Sequence, residues 1–160
     1  LSPIRQIFSL LLIVKFKFLN ISFSPNEKFR SLIIIFFNFH KPYVFVSDDD
    51  GKSWKSLSSK LPTSPVNVIK EDPFNEDVVY LGTDNGAYIS FDTGNSWHSF
   101  YQGLTKAAVH DLVIQSEEKD LLLGTHGRSI YKTDLSVIYN YKPKYYILVL
   151  QFSPYYGKIL

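Results

Sequence analysis

One octapeptide occurs twice in this chain, and it limits the available folds more than any other sequence feature. Residues 47–54 read Ser-Asp-Asp-Asp-Gly-Lys-Ser-Trp and residues 90–97 read Ser-Phe-Asp-Thr-Gly-Asn-Ser-Trp. Both copies fit the pattern Ser-x-Asp-x-Gly-x-Ser-Trp, and they begin 43 residues apart. Recurrence at a fixed spacing of this length indicates an array of structural repeats.

A second, shorter segment also repeats along the chain. The tripeptide Leu-Gly-Thr at residues 81–83 returns at residues 123–125, and Asp92 returns as Asp134, both after 42 residues. The third copy of the octapeptide lacks its Gly and its Trp. A period in the low forties with four short strands per copy matches the size of one β-propeller blade.

Short β-branched and aromatic runs, separated by turn residues, fill the part of the chain between residues 38 and 137. The runs lie at 43–46, 66–69, 78–81, 87–89, 112–114 and 121–123. Turn pairs separate them, namely Asp-Gly at 50–51, Asp-Pro at 72–73, Asn-Gly at 85–86, Thr-Gly at 93–94 and His-Gly at 126–127. This spacing predicts an all-β fold class.

The two ends of the chain differ in composition from this central part. Residues 1–37 hold 7 of the 13 Phe, and residues 138–160 hold six Tyr without a repeat signal. The apolar run at 7–14 is too short to span a bilayer, and no small-x-small cleavage site follows it. We therefore predict no membrane span and identify no signal peptide. The sequence leaves three interpretations of residues 1–37 open: a degraded or out-of-frame segment, a strand-rich segment or a targeting signal. Because Met is absent, we expect a fragment.

The octapeptides resemble the Asp-box family, the bacterial neuraminidase repeats. A closer similarity is to bacterial sortilin-like propellers, whose final blades read much like residues 65–73, 80–83 and 124–131. This resemblance implies a partial β-propeller of about two and a half four-stranded antiparallel blades with Asp-box hairpins. It also implies a secreted or cell-envelope location, and a protein or glycan ligand on the full-length propeller.

Each fixed residue of the Asp-box has a structural task in the turn between the third and fourth strands. The residues concerned are Ser47, Asp49, Gly51, Trp54, Ser90, Asp92, Gly94 and Trp97. The Asp accepts hydrogen bonds from turn N–H groups, the Gly permits positive φ and the Trp packs on a neighbouring sheet. The alternative role for the two Trp side chains is an aromatic platform that binds carbohydrate. Calcium binding by residues 48–50 is disfavoured because the second copy loses two carboxylates, so we predict no metal or cofactor.

Ligand-binding candidates lie at the opposite end of the predicted strands. The Asp-box turns and the 72–77 loop share one face, so Asp84, His126 and Arg128 fall on the other. Arg offers a fork of donors for a carboxylate or phosphate, and His titrates near neutrality. In the alternative interpretation, His126 and Arg128 satisfy backbone carbonyls.

No complete active site can be assembled from the sequence, so we predict no catalytic residue. A sialidase-like site, by family resemblance, needs an arginine triad, whereas the chain has Arg5, Arg30 and Arg128 alone. Asp84 and Asp111 are a conceivable glycosidase pair. The other histidines, His40, His98 and His110, look like ordinary strand residues. The alternative function is therefore part of a glycoside hydrolase whose catalytic residues lie in other blades.

Charge and cysteine content exclude several other classes of function. The formal net charge is +2 without a block of like charges, which disfavours nucleic-acid binding, and the absence of Cys excludes thiolate chemistry. A partial propeller leaves blade faces and strand edges uncovered. We therefore expect the isolated chain to self-associate.

Overall fold

The computed structural model describes residues 19–23, 32–36, 43–47, 49, 52–57, 60–61, 63–99, 104, 106–140 and 153–154. These residues form three four-stranded antiparallel sheets and a short helix. In each sheet, strands that follow one another in the chain are neighbours. This four-stranded meander is the blade of a β-propeller.

Each of the three sheets uses four consecutive strands. Sheet 1 contains β1 (Leu19–Phe23), β2 (Leu32–Phe36), β3 (Tyr43–Ser47) and β4 (Lys55–Ser56). Sheet 2 contains β5 (Val66–Glu71), β6 (Val79–Thr83), β7 (Gly86–Ser90) and β8 (His98–Ser99). Sheet 3 contains β9 (Val109–Gln115), β10 (Asp120–Thr125), β11 (Ile130–Asp134) and β12 (Ser153–Pro154). Helix α1 (Ser136–Asn140) follows β11.

The predicted fold class, an all-β partial β-propeller, is confirmed, and the structure adds strands to the predicted blades. β1 and β2 lie within residues 1–37, and β12 lies within residues 138–160. The described chain therefore has three four-stranded sheets where the repeat pattern accounted for about two and a half. The division of the chain into segments 1–37, 38–137 and 138–160 stays a prediction from sequence composition. No helix among the described residues is long and apolar enough to cross a membrane.

Sheet 2 lies between the other two sheets and is buried on both faces. The core that it shares with sheet 1 contains Val44, Leu57, Leu61, Val66, Ile69, Val79 and Leu81. The core that it shares with sheet 3 includes Val68, Tyr80, Ala87, Ile89, Val109, Leu112, Leu121 and Leu123. Alternate residues of β6 and β7 thus enter opposite cores, because successive side chains of a strand point to opposite faces.

Gly82 marks the closest approach between sheets 2 and 3. A Cβ atom at this position would lie 2.6 Å from Val68 Cγ1, 2.8 Å from Val109 Cγ1 and 2.9 Å from the Val109 carbonyl oxygen. Any larger residue would push β9 away from β6, so glycine permits the dense packing of these two blades.

A buried carboxylate joins the β5–β6 loop of sheet 2 to helix α1. Oδ2 of Asp72 accepts hydrogen bonds of 2.7 Å from both the Tyr80 and the Tyr139 hydroxyls. Its Oδ1 accepts the N–H groups of Phe74 and Asn75 at 2.8 and 3.1 Å. Burial and the neighbouring Asp72 carboxylate raise the pKa of both tyrosines, so both stay protonated donors.

Candidate ligand-binding face

The Asp-box turn and the β5–β6 loop lie at the same end of sheet 2. The N–H of Thr93, in the turn between β7 and β8, donates to the Asp77 carbonyl at 3.0 Å. The β6–β7 turn at residues 84–85 lies at the opposite end, since neighbouring strands are antiparallel. Sheet 2 therefore has an Asp-box end and a second end, which we call the site end.

The two Asp-box aspartates make the same hydrogen bonds in sheets 1 and 2. Oδ1 of Asp49 accepts Ser53 N–H and Ser47 Oγ–H, both at 2.8 Å, and its Oδ2 accepts Ser53 Oγ–H at 2.6 Å. Oδ1 of Asp92 accepts Ser96 N–H at 2.7 Å and Ser90 Oγ–H at 2.8 Å, and its Oδ2 accepts Ser96 Oγ–H at 2.6 Å. Both carboxylates are thus engaged within their own turns.

These hydrogen bonds favour the ionised form of both aspartates. Those from the Ser53 hydroxyl and N–H are the main cause that lowers the pKa of Asp49 to about 2. Partial burial raises the pKa of Asp92, but the hydrogen bonds from Ser96 and Ser90 outweigh it, so the net change is downward. The carboxylates are therefore acceptors at neutral pH.

The remaining Asp-box residues pack the turn of sheet 2 against sheet 1. Gly94 has φ +83°, and a Cβ atom there would lie 2.8 Å from Leu57 Cδ1. Trp97 packs on the core that contains Leu57, and its Nε1 is buried without a hydrogen-bond partner in the described part of the chain. In sheet 1, Trp54 is partly buried. Gly51 lies outside the described residues.

At the site end, sheets 2 and 3 place Asp84 and His126 at equivalent positions. Each residue directly follows the repeated Leu-Gly-Thr tripeptide. The N–H of Asp84 donates to the Pro65 carbonyl at 3.2 Å, and the N–H of His126 donates to the Ala108 carbonyl at 2.9 Å. Both acceptors immediately precede the innermost strand of their sheet, so the same backbone bond closes each blade at this end.

A side chain from the innermost strand accompanies each of these residues. Asn67 Nδ2 donates to Asp84 Oδ1 at 2.8 Å and to the Val109 carbonyl at 3.2 Å. In sheet 3, the rings of His110 and His126 are 5.4 Å apart at 49°. Irregularities in the pairing of both strands bring Asn67 and His110 to this position. The sequence interpretation treated His110 as an ordinary strand residue and did not identify Asn67.

The other described residues that the sequence singled out, Arg128, Asp111 and His98, are exposed. Arg128 is exposed in the β10–β11 turn, beside Gly127 at φ +69°. Asp111 is exposed on β9, and its Oδ1 accepts the N–H of Leu112 at 2.9 Å. His98 is exposed on β8. The described residues contain no group of three or more His, Asp or Glu that could hold a metal. Arg5, Arg30 and His40 lie outside the described residues.

Comparison with known proteins assigns residues 42–142 to the Sortilin-Vps10 model, described as sortilin, neurotensin receptor 3. The vacuolar protein sorting/targeting protein 10 of Arthroderma otae is 37% identical over 67 residues, which cover 41% of this chain and 4% of that protein. Its namesake from Laccaria bicolor is 36% identical over 58 residues, which cover 36% of this chain and 4% of that protein. This chain thus spans a small part of these relatives.

A solved structure has a similar fold. The crystal structure of the GH74 enzyme from Niastella koreensis superposes with a TM-score of 0.51, covering 71% of this chain and 16% of the enzyme. The sequence identity is 14%. At that identity the likeness shows the fold alone.

Proposed function

This chain belongs to the Sortilin-Vps10 family, and from that premise we propose that it supplies blades to a sorting receptor-type propeller which binds a protein ligand. We propose that the ligand contacts the site end, at Asp84, His126 and Arg128. The names of the two fungal relatives refer to vacuolar sorting, which supports a place in the secretory pathway.

The observation that carries this proposal is the repeated polar pair at the site end. Asn67 with Asp84 in sheet 2 and His110 with His126 in sheet 3 occupy equivalent positions. At the Asp-box end, by contrast, the carboxylates of Asp49 and Asp92 are used inside their own turns. The exposed side chains of Asp84, His110 and His126 lie on neighbouring blades and offer a peptide several contacts at once, whereas Asn67 is buried and holds Asp84 by a hydrogen bond.

The chemistry of these groups suits a peptide with both a carboxylate and N–H donors. The guanidinium of the exposed Arg128 offers a fork of donors to a carboxylate. Asp84 Oδ1 accepts a hydrogen bond from Asn67, and in this proposal its Oδ2 accepts a hydrogen bond from the ligand.

A peptide library tests the proposed site directly. We would immobilise the folded chain and compare binding of random peptides that have a free C-terminal carboxylate with the same peptides in amidated form. We expect Arg128→Ala to weaken binding of the free-acid peptides at least tenfold. The matched control is Lys52→Ala, which removes an exposed positive charge at the Asp-box end of sheet 1 and should leave binding unchanged.

Two results would contradict this proposal. Equal loss of binding in both variants would mean that the peptides respond to overall charge rather than to the site end. Hydrolysis of aryl-glycosides by the folded chain, abolished by Asp84→Asn or Asp111→Asn, would establish the enzymatic alternative instead.

A further inference from the structure

The innermost strands of sheets 2 and 3 each contain one residue that the strand register leaves without a partner. In sheet 2, the pairing of β5 with β6 omits Asn67. In sheet 3, the pairing of β9 with β10 omits His110 at the equivalent place. An extra residue of this kind forms a β-bulge, which points its side chain away from the regular strand alternation. Each of these two blades therefore presents one re-aimed side chain at the site end.

The two re-aimed side chains meet very different surroundings. Asn67 is buried, and its Nδ2 donates to Asp84 Oδ1 at 2.8 Å and to the Val109 carbonyl at 3.2 Å. In sheet 3, both positions of the pair are histidines and both are exposed, with the ring centres of His110 and His126 5.4 Å apart. Among the described residues, neither imidazole takes part in a hydrogen bond. The pair in sheet 2 is thus closed by its own hydrogen bonds, whereas the pair in sheet 3 keeps its ring nitrogens accessible.

The separation of the two imidazoles suits a shared metal ion. Two imidazoles that bind one zinc ion in tetrahedral geometry, with Zn–N distances of about 2.0–2.1 Å, have ring centres about 5 Å apart. The observed separation is 5.4 Å, with 49° between the ring planes. Because both side chains are exposed, small rotations of the rings bring one nitrogen of each to a common point without disturbing the core.

The chemistry of imidazole decides which ions such a pair selects. Imidazole nitrogen suits Zn²⁺, Cu²⁺ and Ni²⁺, whereas Ca²⁺ and Mg²⁺ require oxygen ligands. The described residues contain no group of three or more His, Asp or Glu that could hold a metal, so two protein ligands leave the other coordination positions to water. Asp111 and Arg128 are the exposed charged residues beside the pair in the chain. Their charges are opposite, so the two imidazoles decide the affinity.

We infer that His110 and His126 form a binding site for one divalent transition-metal ion of the zinc and copper class. The bound ion links β9 to the turn that follows β10. The two histidines lie 16 residues apart in the sequence, a spacing that indicates no metal site, and the bulge in β9 brings them together. Metal binding goes beyond the peptide binding proposed above, and it can be measured without a peptide.

Calorimetric titration of the full 160-residue chain with Zn²⁺ tests this inference. We expect one Zn²⁺ per chain, and His110→Ala and His126→Ala should each raise the dissociation constant at least tenfold. The two effects should not add, because both nitrogens bind the same ion. His98→Ala is the matched control, since His98 is also exposed but lies on β8, and it should leave the affinity unchanged. Mg²⁺ should give no binding heat.

Two further measurements test whether one ion binds both strands of the folded chain. Zn²⁺ should raise the urea midpoint of the wild type, because it binds the folded state. The double variant His110→Asn, His126→Asp gives sheet 3 the amide–carboxylate pair that sheet 2 already holds, so it should fold and lose this rise. The electron paramagnetic resonance spectrum of bound Cu²⁺ should show coupling to two imidazole nitrogens in the wild type.

Several results would overturn the inference. These are the absence of stoichiometric Zn²⁺ binding, a wild-type affinity in both single variants, an equal loss of affinity in His98→Ala, a rise in urea midpoint that persists in the double variant, or a Cu²⁺ spectrum with a single coupled nitrogen. Any of them would mean that the two rings merely contact each other at the surface.

Discussion

Asp49 and Asp92 organise two turns through the same three short hydrogen bonds, although the residues between the fixed positions differ. In the second turn, Ser90 is buried, and its Oγ also accepts the N–H of Gly94 at 2.8 Å. The Asp and the Ser therefore satisfy N–H groups that a tight turn leaves without a strand partner. The recurrence of Ser, Asp and Gly follows from this backbone requirement.

Asp92→Ala should destabilise the chain by about 1–3 kcal/mol, because the N–H of Ser96 and two serine hydroxyls lose their acceptor. Urea denaturation followed by tryptophan fluorescence measures this change. Glu118→Ala, at an exposed position in the β9–β10 turn, should stay within about 0.5 kcal/mol of wild type. Peptide binding by the folded Asp92→Ala protein should be unchanged. Loss of binding without loss of stability would mean that Asp92 belongs to a binding site.

The depressed pKa of Asp49 predicts how this turn responds to acid. The folded-state pKa of about 2 lies below the value of about 4 for an unfolded chain. Protonation therefore favours unfolding, and the stabilisation by Asp49 is complete above about pH 4 and is lost as the pH falls toward about 2. The difference in urea midpoint between wild type and Asp49→Asn should be constant from pH 7 to about 4 and then shrink. A difference that changes between pH 7 and 5 would contradict this assignment.

The candidate site shows what single residues in a sequence can and cannot reveal. Asp84, His126 and Arg128 were identifiable because turn signals place them at one end of the strands. Their companions Asn67 and His110 were not, because the pairing irregularity that brings them to this end shifts strand alternation locally. The 42-residue repeat aligns Asp84 with His126, but it does not show that an amide–carboxylate pair in one sheet becomes a histidine pair in the next.

At the scale of strands, turn chemistry decided which elements could be predicted. In sheet 2 the predicted runs at 66–69 and 87–89 lie inside β5 and β7, and the run at 78–81 begins one residue before β6. Asp-Pro, Asn-Gly and Thr-Gly pairs mark these boundaries. β2, by contrast, reads LIIIF, and a continuous apolar run does not distinguish a buried strand from a buried helix. The pattern in residues 1–37 therefore lacked the information that strand pairing supplies.

Helix α1 depends on a side-chain contact with sheet 2 rather than on its own length. Five residues are too few for a helix that is stable alone. Ile138 is buried in the core between sheets 2 and 3, and the Tyr139 hydroxyl donates to Asp72. Asp134 Oδ1 accepts the N–H of Ser136 at 2.7 Å, so the helix begins at a capped turn.

Tyr139→Phe should cost about 1 kcal/mol, because it removes one hydrogen bond to a carboxylate at a half-buried position. Tyr80→Phe should cost more, about 1.5–3 kcal/mol, because the Tyr80 hydroxyl is buried and donates to the same oxygen. The double variant should be non-additive, since both hydroxyls share Asp72 Oδ2. Val137→Ala on the same helix should be nearly neutral. Equal and additive effects in urea denaturation would refute the shared-acceptor arrangement.

At the scale of the whole molecule, the three sheets form a short linear array. Sheet 2 contacts a neighbour on each face, whereas the outer face of sheet 3 exposes Val113 and Ile130. In such arrays, stability is the sum of the stabilities of single repeats and of the contacts between neighbours. Sheet 2 therefore shares an apolar core with one more neighbouring sheet than sheet 3 does.

Hydrogen exchange followed by mass spectrometry should reveal this difference directly. Peptides covering β6 and β7 should exchange more slowly than peptides covering β9 and β11. Opening sheet 2 disrupts two apolar cores, whereas opening sheet 3 disrupts one. Equal exchange of sheets 2 and 3 would mean that the blades open together as one cooperative unit rather than as neighbours in a linear array.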